Sequence, residues 1–207
     1  MNDVMARTDR KLPSGRRSAT GLTKAEVGRI QRNRMLFAMA EAVADEGYAK
    51  VSVTDVISRA GVSRATFYEQ FTDKQACFLA AFDAASALLI DSVGPDLPGG
   101  TAPEAFPGLL ARYLDALADN QGFARVFLID VYAVGPAGFR RRAESQRRFA
   151  DLIATMFGVD TDEGRFACAA LVAAIGSMVT TALAADDLDG LRSLHGPISD
   201  LATTLLT

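Results

Sequence analysis

One histidine and two cysteines in 207 residues leave little for metal or thiol chemistry. Cys77 and Cys168 stand far apart and form no C-x-x-C pair, so neither a structural zinc site nor a dithiol motif is indicated. They suit two small buried side chains in a reducing cytosol. His195 alone adds no metal site. Convincing strand alternation is missing, as are an internal repeat, a Gly-rich phosphate loop and a nucleophile–base pairing signal. Nothing in the chain therefore supports an enzyme, and no cofactor or metal is expected. The first residues, MNDVMARTDRKLPSGRRSATG, lack an apolar core and do not read as a secretory signal.

Large apolar side chains are also sparse where they would matter most for a membrane. Residues 167–185, ACAALVAAIGSMVTTALAA, carry no charge and approach the roughly 20 residues of a span. They are mostly Ala, Gly, Ser and Thr. A helix apolar all round reads as a buried one, here expected at a subunit interface. The expected location is cytoplasmic, with no membrane partner.

What is present is unevenly placed. The net charge is −3, yet residues 1–75 hold 13 Lys/Arg against 9 Asp/Glu and the remainder 9 against 16. The basic excess is densest in residues 1–35. Such asymmetry lets one end hold a polyanion while the other does something else. Residues are 49% hydrophobic, enough for a packed core.

Residues 1–22 read as a flexible basic arm. Thr23 and Glu26 form a capping box that opens a helix running to Glu46, where Gly47 stops it. Ser52 and Asp55 form a second box, opening a short helix from Val53 to Ala60, and Gly61 ends it. Ser63 caps a third helix, Arg64 to Gln70. A third box, Thr72 to Gln75, opens a long helix reaching Val93. A Pro- and Gly-rich loop follows at 94–105. Further helices are expected at 103–119, 122–133, 136–157, 161–186 and 189–206. The fold expected is all-α, with about nine helices: an N-terminal three-helix domain over 23–73 and a larger helical domain over 74–207.

Two short helices around a tight turn with Gly make a helix-turn-helix. Phe67 and Phe71 share one face and, with Val62, should pack inward. The opposite face presents Ala65, Thr66, Tyr68 and Glu69, flanked by Arg64 and Gln70. Such a set suits insertion in a DNA major groove. Ala65 permits close approach, Arg64 can reach guanine or phosphate, Gln70 can pair with adenine, and the Tyr68 hydroxyl can meet phosphate. Ser52 and Thr54 sit at a helix start for phosphate contact, Ser63 caps the recognition helix, and Lys74 adds a positive charge beside the next helix N-terminus.

Residues 34–79, with Gly47-Tyr48, Ser52, Asp55-Val56, Ala60-Gly61-Val62-Ser63, Phe67-Tyr68, Phe71 and Lys74, resemble the DNA-binding domain of the tetracycline-repressor (TetR) family. Ile57 and Glu69 depart from the usual pattern, and Glu69 places a negative charge near DNA. The resemblance implies that the C-terminal helices bind a small molecule and form a two-fold dimer. Candidates for the effector pocket are Phe82, Leu110, Tyr113, Phe127, Asp130, Tyr132, Gln146 and Phe149, which suggests a largely apolar effector. Candidates for the dimer interface are Leu171, Ile175, Val179, Leu191, Leu194, Ile198, Leu201 and Leu205, giving a four-helix interface. The runs Arg140-Arg141-Arg142 and Arg147-Arg148 read as a solvated face. The function expected is a homodimeric repressor released from a palindromic operator in double-stranded DNA by a small effector. A helical interaction protein with a degenerate helix-turn-helix, or an activator on the same scaffold, are the alternatives.

Overall fold

The computed structural model describes residues 22–93 and 102–206. Their regular elements are all helices, with no strand among them. Apart from Leu22, the expected basic arm lies outside the described residues, as does most of the expected loop at 94–105.

The chain divides into two compact units, Met1–Ala81 and Phe82–Thr207. The first contains α1 (Lys24–Glu46), α2 (Val53–Ala60), α3 (Arg64–Gln70) and the start of α4 (Lys74–Val93). The two capping boxes form as the sequence requires. Thr23 Oγ1 accepts from the Glu26 amide at 3.2 Å while the Glu26 carboxylate accepts from the Thr23 amide at 2.7 Å. Ser52 and Asp55 repeat the exchange at 3.3 and 2.8 Å. These caps matter because helices of eight and seven residues are too short to persist alone. Their apolar faces supply the rest. Met35, Met39 and Val43 of α1, Val56 of α2, Phe67 of α3 and Phe78 of α4 are buried together with Val51 and Phe71. Each such large side chain contributes about 1.5–3 kcal/mol by leaving water.

The start of α4 differs from the expected box. Asp73, not Thr72, is the cap, its Oδ1 accepting from the Ala76 amide at 2.7 Å. A carboxylate there also suits the positive end of the helix.

The second unit holds the rest of α4, α5 (Ala102–Asp119), α6 (Gln121–Leu128), a 3-10 turn (Asp130–Val134), α7 (Pro136–Phe157), α8 (Asp162–Ala184), α9 (Leu188–Ser193) and α10 (His195–Leu206). α8 is its spine, packing against α6, α7, α9 and α10. By length and composition α8 could cross a membrane. Its inner face, however, is the centre of this unit's core: Cys168, Leu171, Val172, Ile175, Val179 and Leu183 are buried.

Two expected helices are broken. The one expected at 122–133 ends at Leu128 and tightens into the 3-10 turn, where the Tyr132 amide donates to the Ile129 carbonyl. The tighter winding stacks Val131 and Val134, three residues apart, on one buried face. The one expected at 189–206 breaks at Leu194. The break puts Pro197 in the first turn of α10, where its missing N–H costs no hydrogen bond.

Candidate nucleic-acid interface

The turn between α2 and α3 is built on Gly61, which adopts φ +62°. A Cβ there would stand 2.7 Å from the Arg34 guanidinium, the movable end of a long side chain, so it is the conformation that favours glycine. The amide of Val62 donates back to the Ile57 carbonyl at 3.1 Å, closing the helix end. Ser63 then starts α3: its Oγ accepts from the Thr66 amide at 3.0 Å and lies 2.9 Å from the Thr66 hydroxyl.

With Phe67 fully buried, α3 has one inner line and turns part of its surface outward. Arg64, Ala65, Tyr68 and Glu69 are exposed, and Tyr68 shows 51% of its surface. The Tyr68 ring packs edge-on against Phe67 at 5.4 Å, and the Arg64 guanidinium lies 6.0 Å from it on the outside. An aromatic ring thus anchors a free hydroxyl beside a cation, a pairing suited to phosphate or base edges. Thr66 is half-buried. At the start of α2, Thr54 is exposed, whereas the Ser52 hydroxyl donates to the Asp55 carboxylate at 2.7 Å. That hydrogen bond and the one from the Ser52 amide hold the Asp55 carboxyl below its ordinary range.

Two expected contacts are placed differently. Gln70 is half-buried, with its carboxamide beside Gly28 of α1. Its position three residues after Phe67 carries it towards the core side of α3, away from the outward set. The Gln70 carbonyl is held by Arg32 at 3.4 Å, and the Arg32 guanidinium lies 4.5 Å over Phe71. Lys74 is half-buried and donates to the carbonyls of Tyr48 and Val51 at 2.9 and 2.8 Å. It ties α4 to the loop that leads into Ser52.

The second unit brings part of the effector set together. Tyr113 of α5 meets Phe149 of α7 edge-on at 6.3 Å, and Gln146 lies one turn before Phe149. Burial pushes the Tyr113 phenol up, and the nearby charge of Arg142 partly offsets this. Phe82 and Phe127 form a separate pair at 6.0 Å, and Leu110 is core. Asp130 is half-buried in the 3-10 turn, where burial raises its carboxyl and Arg125 opposes the shift. Tyr132 is turned out to the surface against Phe139 at 4.7 Å, because the chain rewinds at Ile129. A shallow depression elsewhere on this unit is lined by Ala111, Leu114, Asp115, Arg192 and His195, none of them from the expected set.

Residues 37–81 match the family described as bacterial regulatory proteins, tetR family. The chain carries a TetR-family DNA-binding domain. No curated protein sequence matches the chain. Among solved structures, it is similar to FadR from Bacillus subtilis in complex with stearoyl-CoA, with TM-score 0.70 and 18% identity over 84% of this chain and 99% of that one. A TetR transcription regulator from Haloarcula marismortui gives 0.70 and 22% identity, covering 86% and 98%. A TetR regulator from Rhodococcus sp. RHA1 gives 0.64 and 23%, covering 86% and 96%. The whole described chain thus has the fold of TetR-type regulators.

Within this TetR-type chain, most of the expected interface leucines belong to a single subunit's core. Leu171, Val179 and Leu191 are fully buried, Ile175 and Ile198 nearly so, and Leu194 is half-buried. Only Leu201 and Leu205 are exposed. The large side chains of α8 point inward because its other face is made of small ones: Ala170, Ala173, Ser177, Thr181 and Ala184 are exposed, with Phe166 at one end showing 75% of its surface. His195 is a strut, its Nε2 sharing a 2.9 Å hydrogen bond with the Pro107 carbonyl.

Of the arginines expected on a solvated face, Arg140, Arg147 and Arg148 are exposed and Arg141 is half-buried, but Arg142 is 7% exposed, not solvated. Three consecutive helical residues span about 200° of the helix, so a run of three cannot all face water on a helix packed on one side. The useful signal was its spacing of four and seven from Gln146 and Phe149.

Proposed function

We propose that this protein is a cytoplasmic, homodimeric transcriptional repressor that leaves a palindromic operator when a small, largely apolar effector binds its C-terminal unit. The observation that carries the reading is the outward face of α3. Arg64, Ala65 and Tyr68 are held on a helix whose inner line is locked by Phe67, and that face is exposed. A single seven-residue helix reads few base pairs, and two copies across a dyad double the site. The outer faces of α8 and α10 suit that dimer. The small-residue line from Ala170 to Ala184 lets helices approach closely, and Leu201 and Leu205 add apolar area. The base-reading roles fall to Arg64, Ala65 and Thr66, with Tyr68 and Thr54 on phosphate. Effector binding lowers operator affinity to the extent that it favours a different spacing of the two recognition helices. The FadR relative from Bacillus subtilis, in complex with stearoyl-CoA, supports a small-molecule site in this kind of fold.

Selection of bound molecules from a library of random duplexes tests this reading. An enriched palindrome with half-sites about one DNA turn, roughly 10 base pairs, apart is expected. Arg64→Ala should weaken binding to it by about 1–3 kcal/mol and relax one position. No enrichment at low salt overturns the reading and leaves a helical interaction protein. An enriched site at which bound protein raises transcription of a reporter makes it an activator.

A further inference from the structure

The described residues contain three buried polar or charged side chains, Ser86, Arg142 and Ser145. All three lie in the second unit, and Arg142 is one helical turn before Ser145 on α7. Ser145 Oγ stands 3.5 Å from Ser86 Oγ. Arg142, Ser145, Gln146 and Phe149 share one face of α7.

The guanidinium of Arg142 is the unusual member. It is more than nine-tenths buried, its Nε has no hydrogen-bond partner, and no carboxylate pairs with it among the described residues. Asp83 on α4 pairs instead with Arg141 at 3.1 Å and Arg148 at 3.8 Å. Buried arginines are ordinarily matched, because an unmatched buried charge is strongly destabilising.

The surroundings of Arg142 are arranged as donors. Gly176 of α8 leaves room for two of them: a Cβ there would stand 3.1 Å from Arg142 Nη2 and 3.3 Å from Gln146 Nε2. The Tyr113 phenol is close enough to feel the Arg142 charge, and Tyr113 is half-buried. A guanidinium, a carboxamide and a phenol therefore converge, and the Tyr113 and Phe149 rings border them at 6.3 Å from each other. A fixed fork of N–H groups recognises a planar oxyanion, and the aromatic rings beside it recognise an apolar body.

We infer that the effector is an apolar monocarboxylic acid whose carboxylate is bound by Arg142, with Gln146 and Tyr113 as further donors. The inference rests on the reading of the second unit as an effector domain and names the chemistry of its ligand. A bulky polyanionic head does not fit a guanidinium so deeply enclosed, so the free acid is the form recognised.

The test uses the full-length protein, with octanoate, 4-phenylbutyrate, their methyl esters and octanoyl-CoA as probes, read by calorimetry and by thermal melting. The acids are expected to bind at least about tenfold more tightly than the esters. Arg142→Met should lose that preference while melting no lower than the parent, because it removes an unmatched buried charge. Arg142→Lys, which keeps the charge, should retain part of it. Gln146→Leu should weaken the acids more than the esters. Equal binding of acid and ester, undiminished acid binding by Arg142→Met, binding of none of the acids, or binding of octanoyl-CoA alone overturns the inference. So does a large drop in melting temperature for both Arg142 variants, which makes the residue structural. The same preparations are assayed for DNA. A protein that keeps its palindrome but ignores the acids refutes the inference and leaves the repressor reading intact. Arg142-dependent acid binding without any operator refutes the repressor reading alone.

Discussion

The ammonium of Lys74 donates to the Tyr48 carbonyl at 2.9 Å and lies 4.3 Å from the centroid of the same residue's ring. With its second bond, to Val51, it fixes the loop before α2 from the first residue of α4. Lys74→Met should leave two carbonyls unsatisfied and destabilise the N-terminal unit by about 1–3 kcal/mol in urea melts. DNA affinity should fall with it. The slope of affinity against salt should stay close to that of the parent, whereas loss of a phosphate contact would reduce it by about one.

Gly61→Ala tests the turn. The substituted residue must hold a positive φ, and its methyl group must displace the Arg34 guanidinium. A loss of about 1 kcal/mol is expected from the conformation alone. Gly61→Val should cost more, because a β-branched residue is disfavoured there. Chemical denaturation of each variant reads both values.

The two faces of α8 should respond oppositely. Leu171→Ala opens a cavity in the core and should cost about 2–5 kcal/mol of stability. Ala173→Arg, on the exposed line, should leave the melting temperature of a monomer nearly unchanged while splitting the dimer, as measured by sedimentation. A dimer that survives Ala173→Arg places the interface elsewhere.

Acid should weaken the N-terminal unit through its caps. The Glu26 and Asp55 carboxyls are held below their ordinary range by hydrogen bonds from Thr23 and Ser52. Their stabilisation is complete above the ordinary carboxylate pKa and disappears as the pH falls through the lowered folded values. Asp83 has the opposite sign: burial raises its carboxyl, so its ionisation costs stability as the pH rises through that window. Melting temperature measured against pH for Asp55→Asn and Asp83→Asn should show a flatter acid limb in the first and a gain above that window in the second.

The thiols give a final check. Burial pushes Cys77 up to about 12, and Cys168 is raised for the same reason. Neither should react with iodoacetamide in the folded protein at pH 8, and both should react in denaturant.

What the sequence determined by itself is local. Capping needs a hydroxyl or carboxylate three residues from an amide, a left-handed turn needs glycine, and an inner helical line needs Phe at one spacing. Thr23, Ser52, Gly61, Ser63 and Phe67 therefore determine α1 to α3 and the inner line of α3, while the half-burial of Thr66 and Gln70 comes from packing. Where opposite faces of one helix were both plausible, the sequence was silent. Leu171, Ile175 and Val179 fit a subunit interface as well as a core, and only the positions of α6, α7, α9 and α10 around α8 assigned them to the core. The Lys74 ammonium could have reached DNA, but the loop carbonyls brought beside it by the α1–α2 connection took its hydrogen bonds. Arg142 looked like one of three solvated charges. The packing of α7 on α8 turned it inward, because a helix with one buried face must bury some member of any run that crosses that face.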